Sequence, residues 1–368
     1  MTYQQQLKYA IEQVKKDGFK RYEYVQHIIN RKNTANKICL YGTGRFFEGY
    51  AKNIASFDYV CDSDPQKWGK VFDGKTCISP DQLQNEPGIV VFIMAANYKE
   101  IQESLNQKGI ENYYFGDLTL SVYDNKYDCE WFEKNEKDIL DTLGIFEDDW
   151  SQKVYTNVIC NRIAPQYAEF SFHDLEEPGE YFETGILKFG VNECFVDAGA
   201  FNGDSISAFI KAVSGQFEAI YGFEFDPINY RCMLENHQII SDKRIQLYQM
   251  GVSDCHKTMN IFQDGTGSHI TNKGQKIVEL YALDDILIDK RVTFIKMDVE
   301  GSEIDALLGC KNILNTQYPK LAISAYHKLD HLWKVPKYIK SVNTNYKIYM
   351  RHHAVVTWDT DCYAYLEG

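Results

Sequence analysis

The stretch Phe195-Val-Asp-Ala-Gly-Ala-Phe-Asn-Gly-Asp204 decides the fold. An apolar run ends in an acid, a glycine-containing turn follows, and Ser205 to Val213 repeats its apolar residues at helical spacing. That pattern predicts a buried strand, a tight turn and a helix. Glycines at 199 and 203 let the backbone approach a ligand where a Cβ would collide, and Asp197 stands at the strand end. The spacing is D-x-G-x-x-x-G, distinct from the G-x-G-x-x-G dinucleotide fingerprint.

Outward from this block, Ala219-Ile-Tyr-Gly-Phe-Glu224 predicts a second strand. Its terminal acid is placed to take both hydroxyls of a ribose. A third strand, Ile245 to Met250, runs into Gly251-Val-Ser-Asp254, a lip beside a base. The fourth starts at Val292 and delivers Lys296, Asp298, Glu300 and Glu303 at its end and into the next helix. A fifth ends in His327, and a sixth in Arg351, His352 and His353. Strands alternating with helices make an α/β fold with a parallel sheet covered on both faces, and ligands bind such sheets beyond the carboxyl ends of the strands. Asp197, Glu224, Asp298, His327 and one of His352 and His353 are expected to converge there.

These blocks, with Ala282-Leu-Asp-Asp285 and Phe294-Ile-Lys-Met-Asp-Val-Glu-Gly-Ser-Glu303, resemble the FkbM family of S-adenosylmethionine-dependent methyltransferases over about residues 180–368. The resemblance implies the class I methyltransferase fold, a doubly wound seven-stranded sheet with an antiparallel last strand near Cys362. It also implies S-adenosyl-L-methionine as cofactor and O-methylation of sugar or natural-product hydroxyls. By the same resemblance Asp197, Gly199, Phe201, Gly203 and Ser205 hold the methionine part, Glu224 the ribose, and Phe225 and Ser253 the adenine. Tyr181, with Phe182, corresponds to an aromatic lead-in that closes over the cofactor.

Methyl transfer to an alcohol requires removal of a proton. Asp298 and His327 are the first choices for that task, followed by His352 or His353. Neighbouring strand residues point to opposite faces, so only one of the two histidines can line a pocket. Other readings stay open: Glu300 and Glu303 can serve the helix dipole, Lys296 can be an ion-pair partner, and Asp298, Glu300 and a histidine can hold a divalent cation. The expected acceptor is a small polar molecule, a saccharide or sugar-nucleotide. N- or carboxyl-methylation on the same fold, or a non-catalytic cofactor-binding scaffold, are the alternatives.

Residues 37–42, 58–62, 89–94 and 112–115 read as strands of a smaller Rossmann-like domain spanning 1–118. An acidic helical connector, 119–190, links it to the methyltransferase domain at 191–368. A helix is expected after Gly42-Thr-Gly44, and Asp62 follows at the distance a dinucleotide site requires, but Phe47 stands where the third glycine belongs. The block therefore reads either as a nucleotide-sugar site or as a degenerate domain used in packing or dimerisation. A homo-oligomer is compatible with it.

The 368 residues carry a net charge of −13, which argues against nucleic-acid binding because that role needs a basic footprint. The connector alone holds 6 Lys/Arg against 16 Asp/Glu and reads as a solvated helical segment. Ten cysteines form no C-x-x-C pair, and a reducing cytoplasm suits them. There is no signal-peptide core and no apolar run of the ~18 residues a membrane span needs.

Overall fold

Cys194–Ala198 is a strand (β1) because its residues are apolar up to Asp197 and buried at every position. It lies at the centre of a seven-stranded sheet in the computed structural model, which describes residues 1–17, 37–44, 47–48, 57–95, 97–111, 113–115, 127–164, 167–182, 185–262, 269–270 and 276–367. The other strands are β2 (Ala219–Phe223), β3 (Ile245–Tyr248), β4 (Phe294–Met297), β5 (Lys320–Ser324), β6 (Lys347–His352) and β7 (Thr360–Tyr365). Across the sheet they run β6-β7-β5-β4-β1-β2-β3. All neighbours are parallel except β7, which is antiparallel to both β5 and β6. This is the doubly wound seven-stranded sheet that the family resemblance implies, antiparallel strand included.

Register aligns the strand tips that matter. Phe294 pairs with Phe195, and Lys296 with Asp197. The two phenylalanine rings stack 4.9 Å apart at 15°, and Phe182, Phe209 and Phe294 close the same buried cluster. Aromatic pairs of this kind contribute about 0.5–1.5 kcal/mol each beyond their buried area, so β1 and β4 are held rigidly side by side below the site.

Four helices begin near the carboxyl edge of the sheet: α1 (Asp204–Ala212), α2 (Pro227–Leu234), α3 (Glu303–Leu308) and α4 (His331–Val342). The start of α2 is fixed by chemistry legible in the sequence. Asp226 accepts the amide hydrogen of Ile228, and Pro227 occupies the first turn, where its missing N–H costs nothing. Between β3 and β4 a small four-stranded sheet is inserted, built from Gly251–Val252, Lys257–Phe262, His269–Ile270 and Lys276–Tyr281.

The chain divides into two units, and not at 118 and 190. The larger takes Met1–Leu7, Glu136–Ile159 and Glu169–Gly368; the smaller takes Lys8–Asn135 and Cys160–Ala168. Much of the acidic middle segment belongs with the seven-stranded sheet because its acids pair with basic groups there. Glu147 meets Lys347 at 2.9 Å, Asp148 meets Arg351 at 2.7 Å, and Glu177 meets Arg351 at 3.1 Å. Backbone bridges join Phe146 to Ile348 and Glu176 to His352, so the segment covers the open edge of β6. The expectation of a solvated connector is corrected accordingly.

The smaller unit holds a six-stranded sheet in the order Val71–Phe72, Lys75–Ile78, Tyr59–Cys61, Ile38–Tyr41, Val90–Ile93, Tyr113–Phe115. The hairpin at 71–78 was not legible in the sequence. Most of the helix expected between Arg45 and Ser56 lies outside the described residues. No described helix is long and apolar enough to cross a membrane.

Candidate active site

A cavity of about 480 Å³ opens at the carboxyl edge of β1, β2 and β4, within the ~300–1,000 Å³ typical of small-molecule sites. Glu224, at the tip of β2, forms one wall. Its Oε2 accepts the Phe201 amide hydrogen at 2.9 Å and its Oε1 that of Asp226 at 2.7 Å. Each oxygen keeps a further lone pair, so the carboxylate can accept from two vicinal hydroxyls. Burial raises the pKa of Glu224 to about 7, and the two amides oppose the rise. Phe201, Ser205 and Phe225 line the cavity with it.

The opposite wall comes from the tips of β4 and β5 and from Tyr181. Asp298, Glu300 and Tyr326 face the cavity. Tyr181 Oη donates to Asp298 Oδ2 at 3.3 Å, and its own amide donates to Tyr363 Oη at 3.0 Å. His327 is pinned: Nδ1 lies 2.9 Å from Glu303 Oε1, and Nε2 lies 3.3 Å from Asp298 Oδ1 and 3.5 Å from Glu300 Oε2. Burial alone would lower the pKa of this imidazole, but the charge of Glu303, then of Asp298 and Glu300, outweighs it and holds the group at about 10. Burial moves Glu300 up to about 7 against the opposing charge of His327.

Backbone strain gathers at the same place. Tyr181, Phe201, Glu300 and Asp359 all have positive φ, between 48° and 57°, and all four line the cavity. Such conformations cost of order 1–3 kcal/mol each and persist where the surrounding structure enforces them, characteristically at functional sites.

Several expected site residues stand elsewhere. Asp197 is completely buried below the cavity floor, where it accepts from the Ser205 hydroxyl and pairs with Lys296 Nζ at 3.1 Å. It braces the floor and presents no surface to a ligand. Lys296 also donates to the Gly199 carbonyl at 2.7 Å and is thereby an ion-pair partner, although its flank lines the cavity. Gly199 does line the cavity, but its missing side chain is demanded by protein: a Cβ there would lie 1.8 Å from the Asp298 carbonyl oxygen. At Gly203 a Cβ would meet Ile239 at 2.5 Å, so this glycine serves helix packing. Ser253 is buried in the inserted sheet's edge and donates to Asp254.

His352 and His353 are not at the cavity. β7 and β5 lie between β6 and β4, which at ~4.8 Å per strand puts the tip of β6 about 14 Å from that of β4. His352 is fully buried, with Nδ1 2.8 Å from Thr360 Oγ1 and its ring 5.0 Å from that of Phe172. His353 bridges the Glu177 carbonyl and Tyr363 Oη, both at 2.9 Å. Through Tyr363 it supports the backbone of Tyr181, which is a positioning role.

Glu180, Asp204, Asn229, Tyr326 and Asp359 also line the cavity and were not singled out in the sequence. Glu180 and Tyr326 each sit one residue from a position that was. Asp359 comes from the turn before β7 and carries no local signal. With these, six carboxylates face the cavity, and Lys296 is the one cation among its described lining residues.

In the smaller unit, Asp62 is spent on its own turn. Its Oδ2 accepts from the Thr43 amide at 2.8 Å and from Lys67 at 2.9 Å, and its Oδ1 from the Asp64 amide at 2.9 Å. Gly42 has φ +106°, and a Cβ there would lie 2.9 Å from the Met94 carbonyl oxygen. Turn closure and packing account for both residues.

Residues 197–361 match the family described as "Methyltransferase FkbM domain". The structure is similar to that of methyltransferase FkbM from Methylobacillus flagellatus, at 25% identity over 99% of each chain and a TM-score of 0.67. Fainter likenesses are to an rRNA methylase from Streptococcus thermophilus, at 14% identity over 48% of this chain and 88% of that one (TM-score 0.32), and to Aeropyrum pernix fibrillarin, at 12% over 50% and 70% (TM-score 0.33). None of the curated proteins matches the chain.

Proposed function

Residues 197–361 are an FkbM-family methyltransferase domain, and on that premise we propose that the protein is an S-adenosylmethionine-dependent O-methyltransferase whose acceptor is a hydroxyl of a small saccharide. The observation that carries the reading is one cavity joining Glu224 at the tip of β2 to the Asp298 and Glu300 wall at the tip of β4. The residues fit the cofactor. Glu224 has lone pairs for two ribose hydroxyls, Phe225 offers an apolar face for a base, and Asp204, Ser205 and Asn229 are further polar residues of the same lining. S-adenosylmethionine, when bound, supplies an electrophilic methyl group on a sulfonium centre.

The protein's own part is to position the acceptor and receive its proton. Holding a nucleophile ~3–3.5 Å from the reacting carbon can supply a large share of the acceleration. Asp298 and Glu300 supply acceptors for the hydroxyl of a bound sugar. The carboxylates around His327 raise its pKa to about 10, above the value that suits a base at neutral pH. Glu180 and Glu300 are better suited, because burial raises both carboxyls and a base works best when its pKa lies near the working pH.

Charge narrows the acceptor. Six carboxylates face the cavity, and the ammonium of Lys296 is engaged by Asp197 and Gly199. With no cation on the Asp298 and Glu300 wall, a pyrophosphate or carboxylate would meet repulsion there, which favours a neutral or amino-bearing saccharide over a sugar-nucleotide. The same wall favours an amine as a second acceptor class. The ten free thiols suit a reducing, cytoplasmic setting.

The experiment is incubation of the protein with methyl-labelled cofactor and fractionated cell extract, followed by mass and NMR identification of the labelled product. A methyl ether on a saccharide supports the reading. An N-methyl product establishes the second class, and a methyl ester or a labelled nucleotide-sugar contradicts the charge argument.

A further inference from the structure

His327 stands among more oxygen donors than an ion pair requires. Its Nε2 lies 3.3 Å from Asp298 Oδ1 and 3.5 Å from Glu300 Oε2. Donor atoms bound to one cation at ~2.0–2.2 Å stand about 3.0–3.6 Å from one another in octahedral or tetrahedral geometry. Both carboxylate oxygens stand at that spacing from Nε2.

The other side of the ring is arranged to match. Nδ1 faces Glu303 Oε1 at 2.9 Å, and the second oxygen of Glu303 faces His331 Nδ1 at 2.9 Å. Glu303 is wholly buried and His331 nearly so. A carboxylate behind a histidine, fixing the ring so that the opposite nitrogen points outward, is the usual outer support of a metal-ligating imidazole. The three donors come from separate places: Asp298 follows β4, Glu300 sits in the strained turn before α3 with φ +53°, and His327 follows β5. Asp298 and Glu300 also face the cavity, so the remaining coordination positions would open toward the acceptor.

We propose that Asp298, Glu300 and His327 bind one divalent cation at the acceptor end of the cavity, with Glu303 as the residue that orients His327. The consequence for catalysis rests on the O-methyltransferase reading above; the site itself does not. A cation there withdraws charge from the acceptor oxygen and lowers its pKa. The hydroxyl proton then passes to Glu180, which lines the same cavity, while the O–H bonding pair stays on oxygen as the nucleophile. The two carboxylate oxygens suit a hard ion such as Mn²⁺, and the imidazole nitrogen suits a borderline one such as Zn²⁺.

The test is titration of the chelator-treated full chain with Mn²⁺, followed by calorimetry and by loss of the free-ion EPR signal, without cofactor or acceptor present. One Mn²⁺ per chain is expected. Glu300→Gln and Asp298→Asn should each weaken Mn²⁺ at least tenfold relative to the wild type, with circular dichroism confirming that each variant is folded. Absence of a stoichiometric site in the wild type, or undiminished Mn²⁺ affinity in both variants, overturns the proposal. Because S-adenosylmethionine binding is read separately, failure of the metal site and failure of the methyltransferase reading are distinguishable.

Discussion

Glu303 Oε1 lies 2.9 Å from His327 Nδ1, joining the start of α3 to the tip of β5 across a wholly buried carboxylate. Burial would raise the pKa of Glu303, but the charge of His327 and the bonds from both histidines hold it well below the usual carboxylate value. Removing one partner of a buried pair leaves the other uncompensated, at a cost of about 3–5 kcal/mol. For a unit of this size, at roughly 2–4 °C per kcal/mol, Glu303→Gln should lower Tm by roughly 6–20 °C. The exposed Lys137–Asp141 pair serves as contrast, since its loss should leave Tm unmoved. Equal small shifts in both variants would refute the assignment.

Cofactor affinity should depend on pH through Glu224. Its carboxyl is raised to about 7, and on the proposed reading the ionised form is the one that accepts both ribose hydroxyls. Protonation competes with binding, so affinity should be constant above that value and weaken toward tenfold per pH unit well below it. The free protein shows the opposite sign. A carboxyl raised from 4.5 contributes stability that is fully present below 4.5 and lost as pH rises through about 7. Calorimetry between pH 5.5 and 8.5 checks the first point, and the slope should vanish in Glu224→Gln.

Two glycines with similar φ should respond very differently to alanine. Gly199 has φ +84° with its would-be Cβ 1.8 Å from the Asp298 carbonyl oxygen, whereas Gly215 has φ +72° and open space. Gly215→Ala should cost only the conformational penalty, about 1–2 kcal/mol. Gly199→Ala must also part the tips of β1 and β4, and should cost clearly more in Tm as well as cofactor affinity. Comparable losses in the two variants would show that the close approach has no energetic weight.

His352 should prove structural. Replacing it with Gln disturbs the contact with Thr360 and the packing against Phe172. Stability should fall, with cofactor affinity and the pH profile of turnover unchanged. A displaced pH profile would return His352 to the active site.

The contrast between His327 and His352 shows which features the sequence carried. Both end predicted strands, and strand ends were legible because apolar runs and turn residues are local signals. Asp298, Glu224 and Phe225 reached the cavity for that reason. Strand order is not local. The placement of β6 outside β7 removed His352 and His353 from the site, and only long-range pairing determines it. Asp197 failed differently: its position was right, but the register that sets Lys296 beside it turns the carboxylate into a buried brace. The acids of the middle segment were read as solvated because their partners, Lys347 and Arg351, lie some 200 residues away in the chain.

The most direct test of the account is isothermal titration of S-adenosylmethionine into the wild type and into Glu224→Ala, with circular dichroism confirming that the variant is folded. The account predicts one site per chain in the wild type and at least a tenfold loss of affinity in the variant. No binding to the wild type, or unchanged affinity in a folded Glu224→Ala, would contradict it.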